Sequence, residues 1–106
     1  MSTWLVYFLV TQIIEVPIHS WPLRGNVVVA FGASALTHPI LWFVIVPALG
    51  GVPWLWTAVL GETFAVVVEA LWLRAFRVRR AFLWSLLANG ASFTLGLLAQ
   101  RIGWLP

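Results

Sequence analysis

The sequence has no cysteine, no lysine and no aspartate, and charged residues make up only 8% of its 106 residues. Without cysteine the chain has no disulfide, no thiolate metal ligand and no thiol redox pair. Soluble domains carry roughly 25% charged residues, so this chain has too little charge to cover a water-facing surface. The shortage of charge therefore excludes an ordinary soluble domain.

Hydrophobic residues make up 62% of the chain, and its mean hydropathy is +1.00. A helix that crosses a bilayer needs about 20 residues, and apolar runs cover residues 3–16, 26–46, 53–76 and 81–102. These runs predict an all-α integral membrane bundle of four transmembrane helices with short loops, in a single transmembrane domain over residues 1–106. The lipid bilayer is its expected surroundings.

Proline and asparagine mark several predicted helix limits. Pro17 is expected to end the first segment, Asn26 to cap the second, and Pro53 to begin the third. Pro39 lies within the second segment, where a kink is expected because proline removes a backbone donor. The first segment is the shortest, so we expect it to tilt or to lie partly in the membrane interface.

Arginines are concentrated after the third segment. Four of the six occur there: Arg74, Arg77, Arg79 and Arg80. Positive residues gather on the cytoplasmic side of membrane proteins, so we interpret these four as topology determinants, with anionic-lipid contact as the lesser alternative. Four spans then place both termini on the non-cytoplasmic side, and a bacterial inner membrane is the expected location. Because the arginines gather in one loop between predicted spans, we do not expect the chain to bind nucleic acid.

A few polar side chains lie inside the predicted spans, where a charge costs at least ~2.5–3.5 kcal/mol. Counted from the cytoplasmic ends at ~1.5 Å per residue, Glu62 falls at the depth of His38 and Ser92, and Glu69 at that of Asn89 and Glu15. The expected intramembrane polar cluster consists of Glu15, His38, Glu62, Glu69, Asn89 and Ser92. Within it we expect His38 and Glu62 to pair near the centre of the membrane.

Small residues recur along one face of the fourth segment, from Ser85 to Gly96. Small side chains let helices approach closely, and polar ones form hydrogen bonds across the contact. Ser34, Ser85 and Gly96 are therefore the expected helix-packing positions.

The polar residues contain no recognisable metal motif. Glu15, His38, Glu62 and Glu69 offer carboxylate and imidazole groups, which iron, manganese or zinc accept. However, the sequence lacks the Glu-x-x-His pair of helical di-iron bundles and the His-Glu-x-x-His motif of metalloproteases. We therefore expect no metal site, no cofactor and no catalytic residue. His19 is assigned to the first loop, with a local capping or water-contact role.

Three functions remain open, in order of preference. The first is an accessory or structural subunit of a larger membrane complex or homo-oligomer, which docks helices through the Ser85–Gly96 face and the glutamate face. The second is a small transporter or ion pathway, in which Glu62, Glu69 and His38 bind a cation or relay protons. The third, an intramembrane metal-dependent enzyme, is disfavoured by the missing motifs, so no enzymatic activity is expected.

Overall fold

The computed structural model describes residues 3–105 and is all-helical. Four helices follow one another: α1 Thr3–Ser20, α2 Val27–Ala48, α3 Trp54–Ala75 and α4 Ala81–Arg101. No strand occurs among the described residues. The predicted all-α class is confirmed, and the limits of α3 and α4 agree with the prediction to within one residue.

Three of the four helices, α2, α3 and α4, are long and apolar enough to cross a membrane. The 18-residue helix α1 does not meet the same criterion. Gln12, Glu15 and His19 lower its hydropathy, because all three are polar and lie in its second half. The four predicted spans are therefore supported for three helices and not for the first.

Helix α1 is longer than the sequence predicted. It continues through Pro17 to Ser20, whereas the prediction ended it at residue 16. Pro17 lacks a backbone donor, yet the helix persists because the turn after it carries the buried side chain of His19. The helix ends where Gly25, with φ +82°, donates its N–H to the carbonyl of Ser20 over 2.8 Å. His19 is therefore helical, and its assignment to a loop was wrong.

Helix α2 changes its winding after Pro39. Asn26 caps it as predicted, since its Oδ1 accepts the N–H of Val29 over 3.2 Å. Leu41–Ile45 then form a π-helical turn, in which the amide of Val46 bonds to the carbonyl of Leu41. The sequence predicted a kink at Pro39, and the structure has a widened turn directly after it.

The four helices form a ring in which each packs against its neighbours in the chain and α1 also packs against α4. The loop that contains Leu23 meets the end of α3 and the start of α4, where an apolar cluster forms around Leu73, Val78 and Ala81. We call this the arginine end, because it carries Arg24, Arg74, Arg77, Arg79 and Arg80. The opposite, open end comprises the start of α1, the 49–53 loop and the end of α4.

Candidate functional site

Two glutamates from different helices meet inside the bundle. Glu15 of α1 is 2% exposed and Glu69 of α3 is 1% exposed. Each carboxyl group has an oxygen within 4.8 Å of the other. No arginine forms an ion pair with either glutamate within residues 3–105. Two carboxylates so close together repel each other, so the pair favours a neutralising proton or cation.

All four oxygens of this carboxyl pair accept a hydrogen bond from α2 or α4. The α1 carboxyl group accepts from Ser34 Oγ over 3.2 Å and from Ser92 Oγ over 2.5 Å. The α3 carboxyl group accepts from Thr37 Oγ1 over 2.6 Å and from Asn89 Nδ2 over 3.1 Å. The pair is thus fixed in position by side chains from the two other helices.

A histidine completes the arrangement. His19 lies in the last turn of α1 and is fully buried. Its Nε2 is 3.6 Å from Glu69 Oε1, beyond hydrogen-bond distance, and neither ring nitrogen has a hydrogen-bond partner within the described part of the chain. One ring nitrogen and one oxygen from each of Glu15 and Glu69 all lie within 4.8 Å of one another. We call these three residues the carboxyl–histidine cluster.

The spacing of polar residues on α1 explains how the cluster forms. Gln12, Glu15 and His19 are three and four residues apart, which places them on one helix face. All three are buried, whereas Ile13 on another face is 74% exposed. Helix α1 therefore turns its polar side toward the other helices and its apolar side outward.

A cavity of about 380 Å³ runs from the cluster toward the open end. Its inner part is polar and includes both cluster carboxyl groups together with Thr37, Asn89 and Ser92. Aromatic side chains line its outer part: Tyr7, Trp42, Trp54 and Phe93. The cavity is large enough for a hydrated ion or a small molecule.

Glu62 and His38 both line this cavity but do not pair. The Glu62 carboxyl group has no hydrogen bond or ion pair with the residues that the structure describes. The His38 ring instead packs among Trp4, Phe8 and Trp42, with ring centroids 6.3, 5.3 and 6.1 Å away. The expected pair between His38 and Glu62 does not form. His38 packs against aromatic rings, and the Glu62 carboxyl group is left without a bonded partner.

Of the three expected packing residues, the two serines form hydrogen bonds between helices, whereas the glycine faces open space. Ser85 Oγ donates to the carbonyl of Val66 over 2.7 Å and so joins α4 to α3. Ser34 bonds Glu15, so it holds the cluster as well as the α1–α2 contact. Gly96 is buried and lines the cavity, but a Cβ there would meet no atom within 4 Å. Close helix approach therefore does not require glycine at this position.

The four arginines around the loop between α3 and α4 are exposed at the arginine end. No ion pair joins any of them to a carboxylate in the described residues. Their position fits a role at the membrane interface, and they take no part in the cluster.

His19 and Thr37 belong to the polar core, although neither was predicted to do so. His19 was overlooked because Pro17 was taken to end the helix, although its spacing from Gln12 and Glu15 already indicated one helix face. Thr37 was overlooked because threonine bonds readily to its own helix, as it also does here with the carbonyl of Ala33 over 3.3 Å. Ser92 was placed at the depth of Glu62 but bonds Glu15 instead.

No family model, curated protein or solved structure matches the chain. Function is therefore inferred from the carboxyl–histidine cluster and the cavity that leads to it.

Proposed function

We propose that the protein is a small transporter or ion pathway that binds a cation or proton in the cavity and conducts it across the membrane. The single observation that carries the proposal is the cavity of about 380 Å³ that ends on two buried carboxyl groups within 4.8 Å of each other. Ionisable groups inside membrane bundles characteristically mark ion and proton routes.

Three carboxyl groups follow one another along this route. Glu62 lines the cavity without a bonded partner, so it is the side chain best placed to receive an incoming cation. Glu15 and Glu69 lie deeper and are oriented by hydroxyl and amide donors. Aromatic rings near the entrance suit a cation, since ring faces attract positive charge.

The route is closed at the arginine end. Leu73 is fully buried there among Val78 and Ala81, with Leu23 and Trp72 packed against them. Conduction requires this apolar seal to open while the cavity entrance closes, as expected for access that alternates between the two sides. In this proposal, the structure represents the state in which the cavity is open at the end opposite the arginines.

We further propose how the four helices lie in the membrane. Helix α1 is assigned to the membrane as a fourth helix, because its polar residues face the bundle and its apolar residues face outward. The arginine end is assigned to the cytoplasmic side by its charges. Both termini and the open end are then non-cytoplasmic, in a bacterial inner membrane.

The subunit hypothesis relies on two docking faces that are used inside this chain. Ser85 is fully buried against α3, and Asn89 bonds Glu69. Glu69 itself is 1% exposed. Since these side chains are already engaged, they offer little to a partner helix, and we prefer the ion pathway.

Flux measurements in liposomes test the proposal. Purified protein is reconstituted with a pH-sensitive dye inside, and with dyes for a panel of monovalent and divalent cations in parallel experiments, under an imposed membrane potential. Replacing Glu62→Gln removes a charge that binds the cation, worth about 1.5–3 kcal/mol, so we expect flux to fall about 10- to 100-fold at low concentration. The matched control is Thr63→Val, because Thr63 is exposed on the same helix and bonds its own Val59 carbonyl.

Wild-type flux equal to that of protein-free liposomes for protons and for every cation would contradict the proposal. Unchanged flux in Glu62→Gln would equally contradict it. A stoichiometric larger partner in native mass spectra, together with absent flux, would restore the subunit hypothesis.

A further inference from the structure

We propose that the carboxyl–histidine cluster is a binding site for a divalent transition-metal ion of the manganese, iron or zinc class. Glu15, His19 and Glu69 would supply the protein ligands. The inference deepens the proposed function, on which it rests, because the cavity provides the route by which the ion reaches the site.

The first support is the state of His19. The ring is fully buried, and both of its nitrogens lack a hydrogen-bond partner within the described residues. Its Nε2 faces Glu69 Oε1 at 3.6 Å. Buried polar side-chain atoms are nearly always bonded. Trp4, Gln12 and His38 also carry unbonded buried atoms, but it is His19 that lies within 4.8 Å of both carboxyl groups. An imidazole nitrogen that faces carboxylates is suited to a metal ion.

The second support is the shell of donors around the carboxyl groups. Ser34 and Ser92 bond the two oxygens of Glu15, and Thr37 and Asn89 bond those of Glu69. Metal-ligating carboxylates are typically held in this way by outer partners. Each carboxylate oxygen has a second lone pair, so these hydrogen bonds leave capacity for a metal.

The dimensions and charge of the cluster also fit one ion. Carboxylate oxygens and imidazole nitrogens bind transition metals at about 2.0–2.2 Å, so two ligands of one ion are at most about 4.4 Å apart. The three ligand atoms here lie within 4.8 Å of one another, and a contraction of a few tenths of an ångström suffices. Two carboxylates and one divalent ion are neutral together, which suits the interior of a membrane bundle.

The ligand types narrow the choice of metal. Calcium takes six to eight oxygen ligands, and magnesium keeps several waters. A set of two carboxylates and one imidazole suits manganese, iron or zinc better. From the sequence, the available ligand groups were Glu15, His38, Glu62 and Glu69. His19 was not among them because it was placed in a loop.

Pulsed electron paramagnetic resonance of the Mn²⁺-loaded protein tests the site. The full chain is purified in mild detergent with any affinity tag removed, and Mn²⁺ is added alone. We expect about one bound Mn²⁺ per chain and a ¹⁴N hyperfine coupling from a coordinated imidazole. His19→Gln should remove the coupling and weaken Mn²⁺ binding by ~10-fold or more. Zn²⁺ should displace the bound Mn²⁺, whereas Ca²⁺ should not.

The matched control is His38→Gln, which changes the other buried histidine and should keep the coupling. Because the chain has two histidines, a coupling that persists in His38→Gln comes from His19 even where His19→Gln does not fold. No stoichiometric Mn²⁺ on monodisperse wild-type protein, or bound Mn²⁺ without ¹⁴N coupling, would overturn the proposal. A coupling lost in His38→Gln and kept in His19→Gln would also overturn it.

Binding and flux are measured separately, so the two proposals fail separately. Proton or monovalent-cation flux without Mn²⁺ binding rejects the metal site and keeps the pathway. Bound Mn²⁺ with the expected coupling, but no flux of any ion, keeps the metal site and rejects the pathway.

Discussion

The arginine end and the open end are built from the same four helices but are filled in opposite ways. At the arginine end Leu73 is fully buried within an apolar cluster. At the open end the helices enclose a cavity with Trp42 and Trp54 in its wall. The carboxyl–histidine cluster lies at the border between the two. Both carboxyl groups contact the cavity, and neither forms an ion pair with an arginine among the described residues.

Two glycines, one in the arginine half of the bundle and one in the open half, have different surroundings. At Gly32 the missing side chain makes room for the ring of Trp72, whose Nε1 donates to the carbonyl of Val29 over 2.9 Å. At Gly96 the missing side chain leaves open space. Gly61 also lines the cavity, yet a Cβ there would lie 2.6 Å from Leu41 Cδ1, so close packing at glycine is not confined to the arginine end. The difference depends on whether a side chain of another helix faces the glycine.

The largest expected effect comes from shortening one leucine at each end. Leu73→Ala removes buried contacts and leaves a void, which costs about 2–5 kcal/mol of unfolding free energy. Leu97→Ala acts at a side chain that already borders the cavity, so we expect a loss below about 1 kcal/mol. Unfolding titrations in mixed micelles measure both values. Equal losses would remove the distinction between a packed end and an open one.

A smaller effect is expected from adding one methyl group at each glycine. In Gly32→Ala the new Cβ would lie 2.7 Å from Trp72 Cζ2, and the displaced ring costs about 1–3 kcal/mol. Gly96→Ala meets no atom and gains helix propensity, so a stabilisation of about 0.5–1 kcal/mol is expected. Melting temperatures in detergent should therefore move in opposite directions. A shift of the same sign in both variants would contradict the proposed packing difference.

The smallest effect concerns hydroxyl groups. Ser85→Ala removes the hydrogen bond to the carbonyl of Val66, and interhelical bonds of this kind contribute about 0.6 kcal/mol on average. Thr57→Ala at the open end removes a hydroxyl that lines the cavity, so we expect no measurable loss. The same unfolding titrations compare the two variants. A larger loss for Thr57→Ala would contradict this expectation, because it would mean that the Thr57 hydroxyl forms a stabilising hydrogen bond in the cavity wall.

Much of the fold could be predicted from composition and helix signals. The limits of α3 and α4 follow from long apolar runs, and the start of α2 follows from the capping role of Asn26. Helix α1 could not be delimited correctly. The tendency of Pro17 to end a helix was outweighed by the burial of His19 two residues later, and burial depends on the other helices.

The site could be predicted as a set of residues but not as a set of partners. Estimated depth brought Glu69 together with Asn89, which does bond it. Depth says nothing about the direction of a side chain around the helix axis. For that reason His38 was paired with Glu62, although its ring lies among aromatic residues. The widened turn at Leu41–Ile45 had no signal in the sequence beyond the nearby Pro39.

Arg24, Arg77 and Arg80 adopt left-handed backbone conformations, with φ of 56°, 65° and 55°. Glycine would occupy these positions without the cost of about 1–2 kcal/mol that a side chain brings. A positive charge beside a span acts while the nascent chain enters the membrane, whereas backbone conformation matters only once the helices have assembled. Under the proposed topology, biogenesis and final stability favour different residues at these three positions, and arginine is the residue that serves biogenesis.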